Sequence, residues 1–335
     1  VALAVAAIPE ALSSIVTIVQ AMGTQKMARE QAIIKDLKAV ESLGCVSVIC
    51  SDKTGTLTQN RMDVEQVYIN HTQQQPSWLE NETRRSDVRL LLMAAVLNNN
   101  ASGQDGDPME TALFNMAREA GLIPEQVRLQ SPRKGEIPFD SRRKLMTTIN
   151  EIEGSDIVFV KGAVDVLLKK CTRLANPAAG QKAGTAGPGA GAAIPSRTLS
   201  SSDRQRILDQ NSRWSARGLR VLAFACRPLN EAGKENGNSG YAEAKAGNSR
   251  EQSSLSGRLG DDLVFLGLTA MMDPPRPESR QAVASARQAG IRPVMITGDH
   301  KVTAMSIAER IGIFAPGNMA VTGAELDRME EEDLN

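Results

Sequence analysis

The chain has 335 residues, which is long enough for two or three domains, and its 39 basic and 39 acidic side chains leave no formal net charge. This balance argues against a nucleic-acid-binding protein, so no nucleic-acid partner is expected. The four cysteines have neither metal-ligand spacing nor a disulfide pattern, and we predict four reduced thiols in a cytosolic compartment.

The first predicted element is a transmembrane helix over residues 1–24, because residues 1–22 are almost wholly apolar and about 20 such residues span a bilayer. The following stretch to Leu43 is polar and basic, which predicts that the chain after about residue 24 lies on the cytoplasmic side. A stalk and the first part of a second domain are expected over 25–60. The chain is therefore predicted to be an integral membrane protein in contact with lipid.

Pro9 and Glu10 interrupt the apolar run. Proline removes a helical hydrogen bond and frees a carbonyl in the preceding turn, and a carboxylate at membrane depth indicates a functional site. Hard cations such as Ca²⁺ prefer oxygen ligands. The pattern predicts a cation site with these ligands: the backbone oxygens of Val5, Ala6 and Ile8, and the carboxylate of Glu10. A kinked core helix with a paired glutamate is the alternative.

A short β-branched run, residues 46–49, is typical of a buried parallel strand and precedes the sequence CSDKTGTLT at 50–58. Asp52 then stands at the carboxyl end of a strand, where open α/β sheets bind ligands. Lys53 can neutralise a phosphoryl group, and Asp carboxylates form aspartyl-phosphates. Thr54 stands where a hydrolysing phosphatase would need a second acid, so we expect a phosphoenzyme that persists.

From residue 61 to about 266 the pattern predicts an inserted α+β domain, with a strand at 64–69, a helix at 86–97 and flexible loops near 176–202 and 231–260. Asp107 and Pro108 predict the start of a helix whose buried stripe contains Ala112, Leu113, Met116 and Ala117. Glu110 in its first turn fits a charge that the helix dipole favours.

Two further segments of this domain combine features of a nucleotide pocket. Phe139 precedes the basic cluster 142–144 and can stack on adenine while a cation such as Lys144 meets phosphate. Lys161 ends a buried strand and is followed by Gly162, which permits close approach. A core phenylalanine at a turn and a solvated basic run are the alternative for the first segment. Arg220 lies near the start of a later strand and fits a solvated edge residue.

The last part of the chain, 267–335, is predicted to return to the first sheet as the second, truncated part of that domain. The proline-rich segment 273–277 suits a rigid hinge and leads into a helix at 278–289, a strand at 293–296 and a helix at 302–311. This order predicts a parallel sheet that brings Thr297 beside Asp52. The Thr297 hydroxyl and the Gly298 N–H would then hold the transferring phosphoryl group.

Several of these segments resemble motifs of the P-type ATPases, in their type II, calcium-pump-like branch. The resemblance rests on DKTGTLT at 52–58, VAAIPE at 5–10, GDPMETAL at 106–113, FDSRRK at 139–144, KGA at 161–163, DPPR at 273–276 and TGD at 297–299. It implies an α/β fold, in which a HAD-like, Rossmann-like parallel-sheet phosphorylation domain is interrupted by the nucleotide-binding domain and preceded by a transmembrane helix.

The resemblance also implies roles for individual residues. It assigns catalysis to Asp52, Lys53 and Thr297, with Mg²⁺ held by Asp52 and the Thr54 carbonyl. It assigns ATP binding to Glu110, Phe139, Lys144, Lys161, Gly162, Arg220, Thr297, Gly298 and Asp299. The implied function is ATP-driven cation transport through an aspartyl-phosphate, with Ca²⁺ as the expected ion. Transport of Na⁺/K⁺, H⁺ or Mn²⁺, a soluble HAD-type phosphatase or phosphotransferase, and an inactive nucleotide sensor are the alternatives.

The chain is expected to be a piece of a longer polypeptide, because it contains no GDGVND-type or TGES-type motif and begins within an apolar run. Its partners would then include the actuator domain and the remaining membrane helices of the same polypeptide. The resemblance implies that the GDGVND-type motif supplies a third Mg²⁺ ligand, so without it this piece is expected to bind nucleotide but to phosphorylate poorly or not at all.

Overall fold

The computed structural model describes residues 11–36, 38–102, 105–176, 194–229 and 261–330, and it has the mixed α/β content that the sequence predicts. The helices of the described residues are α1 (Ala11–Arg29), α2 (Lys38–Gly44), α3 (Trp78–Glu82), α4 (Ser86–Leu97), α5 (Pro108–Glu119), α6 (Pro124–Gln130), α7 (Val164–Leu167), α8 (Ser201–Ser215), α9 (Pro277–Gln288), α10 (Lys301–Ile311) and α11 (Gly323–Leu326). Their strands are β1 (Val48–Asp52), β2 (Asp63–Ile69), β3 (Thr72–Gln74), β4 (Arg133–Asp140), β5 (Leu145–Ile152), β6 (Ser155–Gly162), β7 (Cys171–Ala175), β8 (Ser196–Thr198), β9 (Arg220–Pro228), β10 (Leu263–Met272) and β11 (Arg292–Ile296).

The strands of the described residues form two sheets. β1 and β11 pair in parallel, as predicted, with Asp52 opposite Ile296. The other nine strands form a second sheet with the main order β3-β2-β10-β9-β6-β5-β4, and β7 joins β10 to β8. The pairs along the main order are antiparallel, whereas β7 and β10 pair in parallel. The fold thus has a small parallel part and a larger, mainly antiparallel part.

Two apolar cores flank the nine-stranded sheet. The first contains α4 and α5. α4 is apolar on nearly all sides and is buried from Asp87 to Leu97, except for Arg89. α5 is amphipathic and buries the predicted stripe on one side, while Asp107 accepts a hydrogen bond from the Met109 N–H at 2.9 Å and caps it as predicted. These two helices determine where Glu110 lies.

The strand predicted at residues 46–49 is found at Val48–Asp52, so that Asp52 is its last residue. The expectation that this strand is buried is wrong for the described part of the chain: Ile49 is 43% exposed. A parallel strand becomes fully buried only when neighbouring strands and helices cover both of its faces. Here β11 is the only described strand that pairs with β1.

The last strand of the inserted domain, β10, extends beyond the predicted domain boundary. The predicted boundary after residue 266 falls in the middle of β10, which pairs with β2 as far as Met272 opposite Asp63. All ten residues of β10 are buried, because β2 and β9 flank it and an apolar core covers each face. The connection between the two sheets therefore begins after Met272.

The apolar segment at the start of the chain is described only from residue 11 onward, as the helix α1. Large apolar side chains of α1, among them Leu12 and Val19, are more than half exposed. No helix in the described ranges is both long enough and apolar enough to cross a bilayer. The transmembrane helix over 1–24 stays a prediction.

The helix α10, which follows β11, packs against the nine-stranded sheet. Ile307 of α10 is 1% exposed and belongs to the core on that side of the sheet. Arg310 forms a two-pronged ion pair with Glu65 of β2, with N–O distances of 2.6 and 2.9 Å. Gly218 approaches the backbone of Thr303 so closely that a Cβ would lie 2.6 Å from the Thr303 Cα. The two sheets are thus joined by a helix as well as by the chain connections.

A polar cluster fixes the start of α8. Asp203 accepts hydrogen bonds from both terminal nitrogens of Arg197, at 2.6 and 2.8 Å, and lies 2.7 Å from His71 Nε2. Its carboxylate also completes a capping box with Ser200. The Arg197 guanidinium holds the pKa of the Asp203 carboxyl well below its usual range. The ionised Asp203 therefore stabilises the folded state.

We expect Asp203→Asn to lower the free energy of unfolding at pH 7 by about 2–4 kcal/mol, since it leaves Arg197 without a charged partner. Because the folded-state pKa of Asp203 is depressed, its contribution is complete above the unfolded pKa of roughly 4 and is lost as the pH falls below that value. Urea unfolding at pH 7 and pH 3.5 would show the difference from wild type shrinking at the lower pH. Asp209→Asn, on the same helix, is the control, and equal losses at both pH values would contradict the prediction.

Candidate nucleotide and phosphorylation site

Asp52 ends β1 and begins a tight turn that exposes its carboxylate. The turn, Lys53–Leu57, closes where the Thr58 N–H donates to the Lys53 carbonyl at 3.0 Å. Gly55 has a φ of +76°, a conformation that glycine adopts at low cost, so the chain can reverse here. The Asp52 side chain is exposed at the carboxyl edge of the parallel sheet. A carboxylate in this position can be approached by a bulky phosphorylated ligand.

Three polar residues from the end of β11 and from the turn surround this edge. Ile296 is the register partner of Asp52, so Thr297 begins just beyond the paired position, as the sequence predicts. Lys53 is 6% exposed and forms an ion pair with Asp299. The Asp299 N–H donates to the Thr297 hydroxyl at 3.1 Å. The structure therefore brings the DKT and TGD segments together at one edge.

The segment that leads from β10 to α9 is fastened to the same turn. The Thr58 hydroxyl donates to the Asp273 carboxylate at 2.6 Å. The Arg276 guanidinium donates to the Gly55 carbonyl at 2.8 Å, and the Arg276 N–H donates to the Leu57 carbonyl at 2.9 Å. The predicted hinge segment is thus directly attached to the turn that follows Asp52.

A second group of predicted residues meets at one end of the nine-stranded sheet. Glu110, in the first turn of α5, forms an ion pair with Lys161 of β6 at 2.7 Å. The side chains are 16% and 8% exposed, respectively. Burial lowers the pKa of the Lys161 ammonium, whereas the Glu110 carboxylate opposes that shift. The pair is a largely desolvated carboxylate and cation that sequence reasoning had treated as two independent contacts.

Gly162 lies against the backbone of Lys144, and this contact explains why a glycine is needed. Its φ is +157°, and a Cβ would lie 2.1 Å from the Lys144 carbonyl oxygen. The Ala163 N–H donates to the same oxygen at 3.1 Å. Leu145 is the register partner of Gly162. Lys144 is therefore held beside the Lys161–Gly162 end of β6.

Phe139 and Arg220 are both exposed near this end. Phe139 of β4 is 61% exposed, which leaves its ring face available to a ligand and contradicts the core-phenylalanine alternative. Arg220 begins β9 and is exposed, with its guanidinium 3.5 Å from the Met109 sulfur. Met109 is the neighbour of Glu110 on α5. An exposed aromatic ring and several cations around one sheet end can bind a planar base and phosphates.

Sequence reasoning missed the polar residues behind Glu110. Asn100 donates its backbone N–H to Glu110 Oε2 at 2.9 Å, and Asn99 donates a side-chain N–H to the Glu110 carbonyl at 2.7 Å. Arg133 and Glu136 of β4 in turn bind the Asn100 side chain. The signal in the sequence is the run of three asparagines, 98–100, directly after the apolar helix α4.

The predicted cation ligands Val5, Ala6, Ile8 and Glu10 lie outside the described residues, and nothing in the structure tests them. The described residues contain no cluster of three or more His, Cys, Asp or Glu side chains that would hold a metal by itself. Mg²⁺ does not need such a cluster, because it is usually held by one or two carboxylates together with water and substrate phosphates. The Asp52 carboxylate and the Thr54 carbonyl fit that type of donor set.

Comparison with known proteins gives one family and several relatives. The family model described as P-type ATPase, cytoplasmic domain N, matches residues 86–278, which is more than half of the chain. The chain is 41% identical over 339 residues to a calcium-transporting ATPase of Lactococcus lactis, and 39% identical over 342 residues to one of Listeria monocytogenes. It is 35% identical over 362 residues to a cation-transporting ATPase of Synechocystis. All of this chain is covered in each case, but it spans only 34–36% of those relatives.

Proposed function

The chain belongs to the P-type ATPases, and from this premise we propose that it forms the nucleotide-binding and phosphorylation parts of an ATP-driven cation pump. One observation carries the proposal: the parallel pairing of β1 with β11 sets Asp52 beside the TGD segment. The first part of the fold would then be a HAD-like phosphorylation domain, interrupted by the inserted sheet. The whole pump would span a membrane, with this chain on the cytoplasmic side after about residue 24.

The nucleotide would bind at the sheet end that carries Glu110 and Lys161. The adenine would stack on the exposed ring of Phe139, and the cations Lys144 and Arg220 would neutralise phosphate charge. Gly162 would allow the ligand to approach the backbone, because a side chain has no room there. This sheet end combines an apolar ring face with several positive charges, which supports ATP as the ligand.

Phosphoryl transfer would occur at Asp52. A carboxylate oxygen of Asp52 attacks the γ-phosphorus, the bond to the β–γ bridging oxygen breaks, and ADP leaves with that electron pair. Lys53, the Thr297 hydroxyl and the Gly298 N–H would neutralise or hold the transferring phosphoryl oxygens, since positioning and charge neutralisation supply most of the catalysis in such reactions. Asp299 would keep Lys53 in place through their ion pair. Mg²⁺, held by Asp52 and the Thr54 carbonyl, would add positive charge.

The absence of a second acid two residues after Asp52 supports a phosphoenzyme that outlives the transfer step. Thr54 occupies that position and cannot act as a general acid or base near neutral pH. A long-lived aspartyl-phosphate suits a machine that converts phosphorylation into a change at a distant cation site. We propose that the transported cation binds to the backbone oxygens of Val5, Ala6 and Ile8 and to the carboxylate of Glu10.

Ca²⁺ is the cation that we propose, because relatives that cover the whole chain are named calcium-transporting ATPases. The test uses the pump at the full length of its relatives, in membrane vesicles with γ-labelled ATP and Mg²⁺. We expect an acid-stable, hydroxylamine-sensitive phosphoprotein that appears with micromolar Ca²⁺ and is absent with a Ca²⁺ chelator. Labelling of equal extent with and without Ca²⁺ would support the proposed pump but would contradict Ca²⁺ as its cation. If no phosphoprotein forms with any cation, the proposal of a cation pump is wrong.

A further inference from the structure

The orientation of Glu110 depends on a turn that is distant from it in sequence. Lys161 Nζ donates to Glu110 Oε1 at 2.7 Å, and the Asn100 backbone N–H donates to Glu110 Oε2 at 2.9 Å. Each carboxylate oxygen therefore has one partner, and the two partners come from different elements. Of these two donors, Lys161 Nζ belongs to a side chain and the Asn100 N–H belongs to the backbone. Asn100 lies in the turn that follows α4, residues 98–101, which we call the Asn100 turn. Its position fixes the direction in which the carboxylate can point.

Arg133, together with Arg128, which donates to the Ala101 and Asn99 carbonyls at 2.8 and 2.6 Å, holds the Asn100 turn in place. Arg133 Nη2 donates to the carbonyls of Leu97 and Asn99, both at 2.7 Å. Its Nη1 donates to the Asn100 side-chain oxygen and to Glu136 Oε2, the latter at 2.8 Å. Four of the five guanidinium N–H groups are thus used on the turn and on Glu136. The planar, multi-donor guanidinium can bind several acceptors at once in this way, which a lysine ammonium cannot reproduce.

Glu136 closes the arrangement into a ring. Its Oε1 accepts from the Asn100 side-chain N–H at 2.7 Å, while its other oxygen pairs with Arg133. Both charged side chains are about a quarter exposed, so the contacts are partly shielded from water. Asn99 is fully buried and ties the turn to α5 through the Glu110 carbonyl. The ring and this second link make the turn a rigid support behind Glu110.

We propose that Arg133 is a positioning residue of the nucleotide site, which holds the Asn100 turn so that the Asn100 N–H fixes the Glu110 carboxylate against Lys161. The inference rests on the proposed function only in taking the Glu110–Lys161 pair as part of the ATP site. Arg133 acts through Glu110 rather than on the phosphates, because most of its donors are already bound to the turn.

The titration of Lys161 distinguishes positioning from a direct charge effect. Besides burial, the charges that act on Lys161 are those of Glu110 and Asp107, which raise its pKa, and of Arg133, which lowers it. If Arg133 acted only through its charge, Arg133→Met would raise the pKa of Lys161. If it positions Glu110, the same change releases the carboxylate and the pKa of Lys161 falls, because Glu110 is in direct contact with Lys161 at 2.7 Å, whereas Arg133 is linked to Glu110 only through the Asn100 turn.

The experiment measures the Lys161 pKa by NMR and the affinity for Mg·ATP by calorimetry, in the wild-type chain and in variants. We expect Arg133→Met to lower the Lys161 pKa, as Glu110→Gln does, and to weaken ATP binding about tenfold, the loss of one well-placed contact. Arg133→Lys keeps the charge and should still lower the Lys161 pKa. Lys134→Met, on the same strand and paired with Glu151 and Asp156, is the control and should change neither quantity.

The double variant Arg133→Met/Glu110→Gln gives the decisive comparison. If Arg133 acts through Glu110, the double variant binds ATP no more weakly than Glu110→Gln alone. Additive losses, or a rise of the Lys161 pKa in Arg133→Met, would overturn the inference. If Arg133→Met does not fold, Asn100→Ala is the substitute, because it removes the side-chain contacts of Asn100 with Arg133 and Glu136. This variant must also lower the Lys161 pKa. A wild-type chain that binds no ATP would reject the proposed nucleotide site, while the Lys161 titration would still decide the role of Arg133.

Discussion

In the pump at the full length of its relatives, replacing Asp52 by Asn is expected to abolish phosphoenzyme formation, with a loss of at least about a thousandfold in the rate of labelling from γ-labelled ATP. The amide is nearly the same size as the carboxylate but lacks its negative charge and its nucleophilicity, so it cannot form the acyl-phosphate bond. Because the Asp52 side chain is exposed at the end of β1, we expect the fold to be unaffected. The measurement is acid-quenched labelling followed by hydroxylamine treatment.

The control for this prediction is Asp261→Asn, which removes one negative charge from a side chain that is 66% exposed and pairs with Lys170. It should label like the wild type. Mg·ATP affinity should remain close to the wild-type value in Asp52→Asn, since that variant keeps the residues around Glu110 and Lys161. Persistent, hydroxylamine-sensitive label in Asp52→Asn would show that another residue is the nucleophile.

Gly162→Ala is expected to have the largest effect on stability and on nucleotide binding together. The new Cβ would lie 2.1 Å from the Lys144 carbonyl oxygen and 2.8 Å from a Leu145 methyl group, so the backbone itself must move. Together with the strained φ of +157°, this overlap should lower the free energy of unfolding by about 2–4 kcal/mol. ATP affinity should fall more than about tenfold, because the shift separates Lys144 from Lys161.

Gly154→Ala is the matched control, because it lies at the other end of the same β5–β6 hairpin. Gly154 also has a positive φ, +81°, but no atom lies within 4 Å of the Cβ position. Its substitution should lower the free energy of unfolding by only about 1–2 kcal/mol, the cost of a positive φ for a residue with a Cβ, and should leave ATP affinity unchanged. Urea unfolding and calorimetric titration measure both quantities. Equal losses in the two variants would show that the contact with Lys144 does not matter.

The sequence by itself determined the type and order of most elements. The pattern over 86–97 predicted a helix, and Asp107 with Pro108 predicted the start of α5, because periodicity and capping act within a few residues. The order of helix, strand and helix after residue 277 predicted the parallel pairing of β11 with β1. The motif at 52–58 also predicted Asp52 as the nucleophile without any long-range information, since its neighbours in the chain supply the required chemistry.

The tertiary structure alone decided which of these residues contact one another. Nothing local to Glu110 indicates that its oxygens bind Lys161 and the Asn100 turn, because those partners are 51 and 10 residues away in the chain. The need for glycine at position 162 likewise comes from a neighbouring strand. The exposure of β1 and the length of β10 depend on which strands flank them. Which side chains meet across a sheet follows from its register and from the elements that flank it, and local sequence patterns do not encode these contacts.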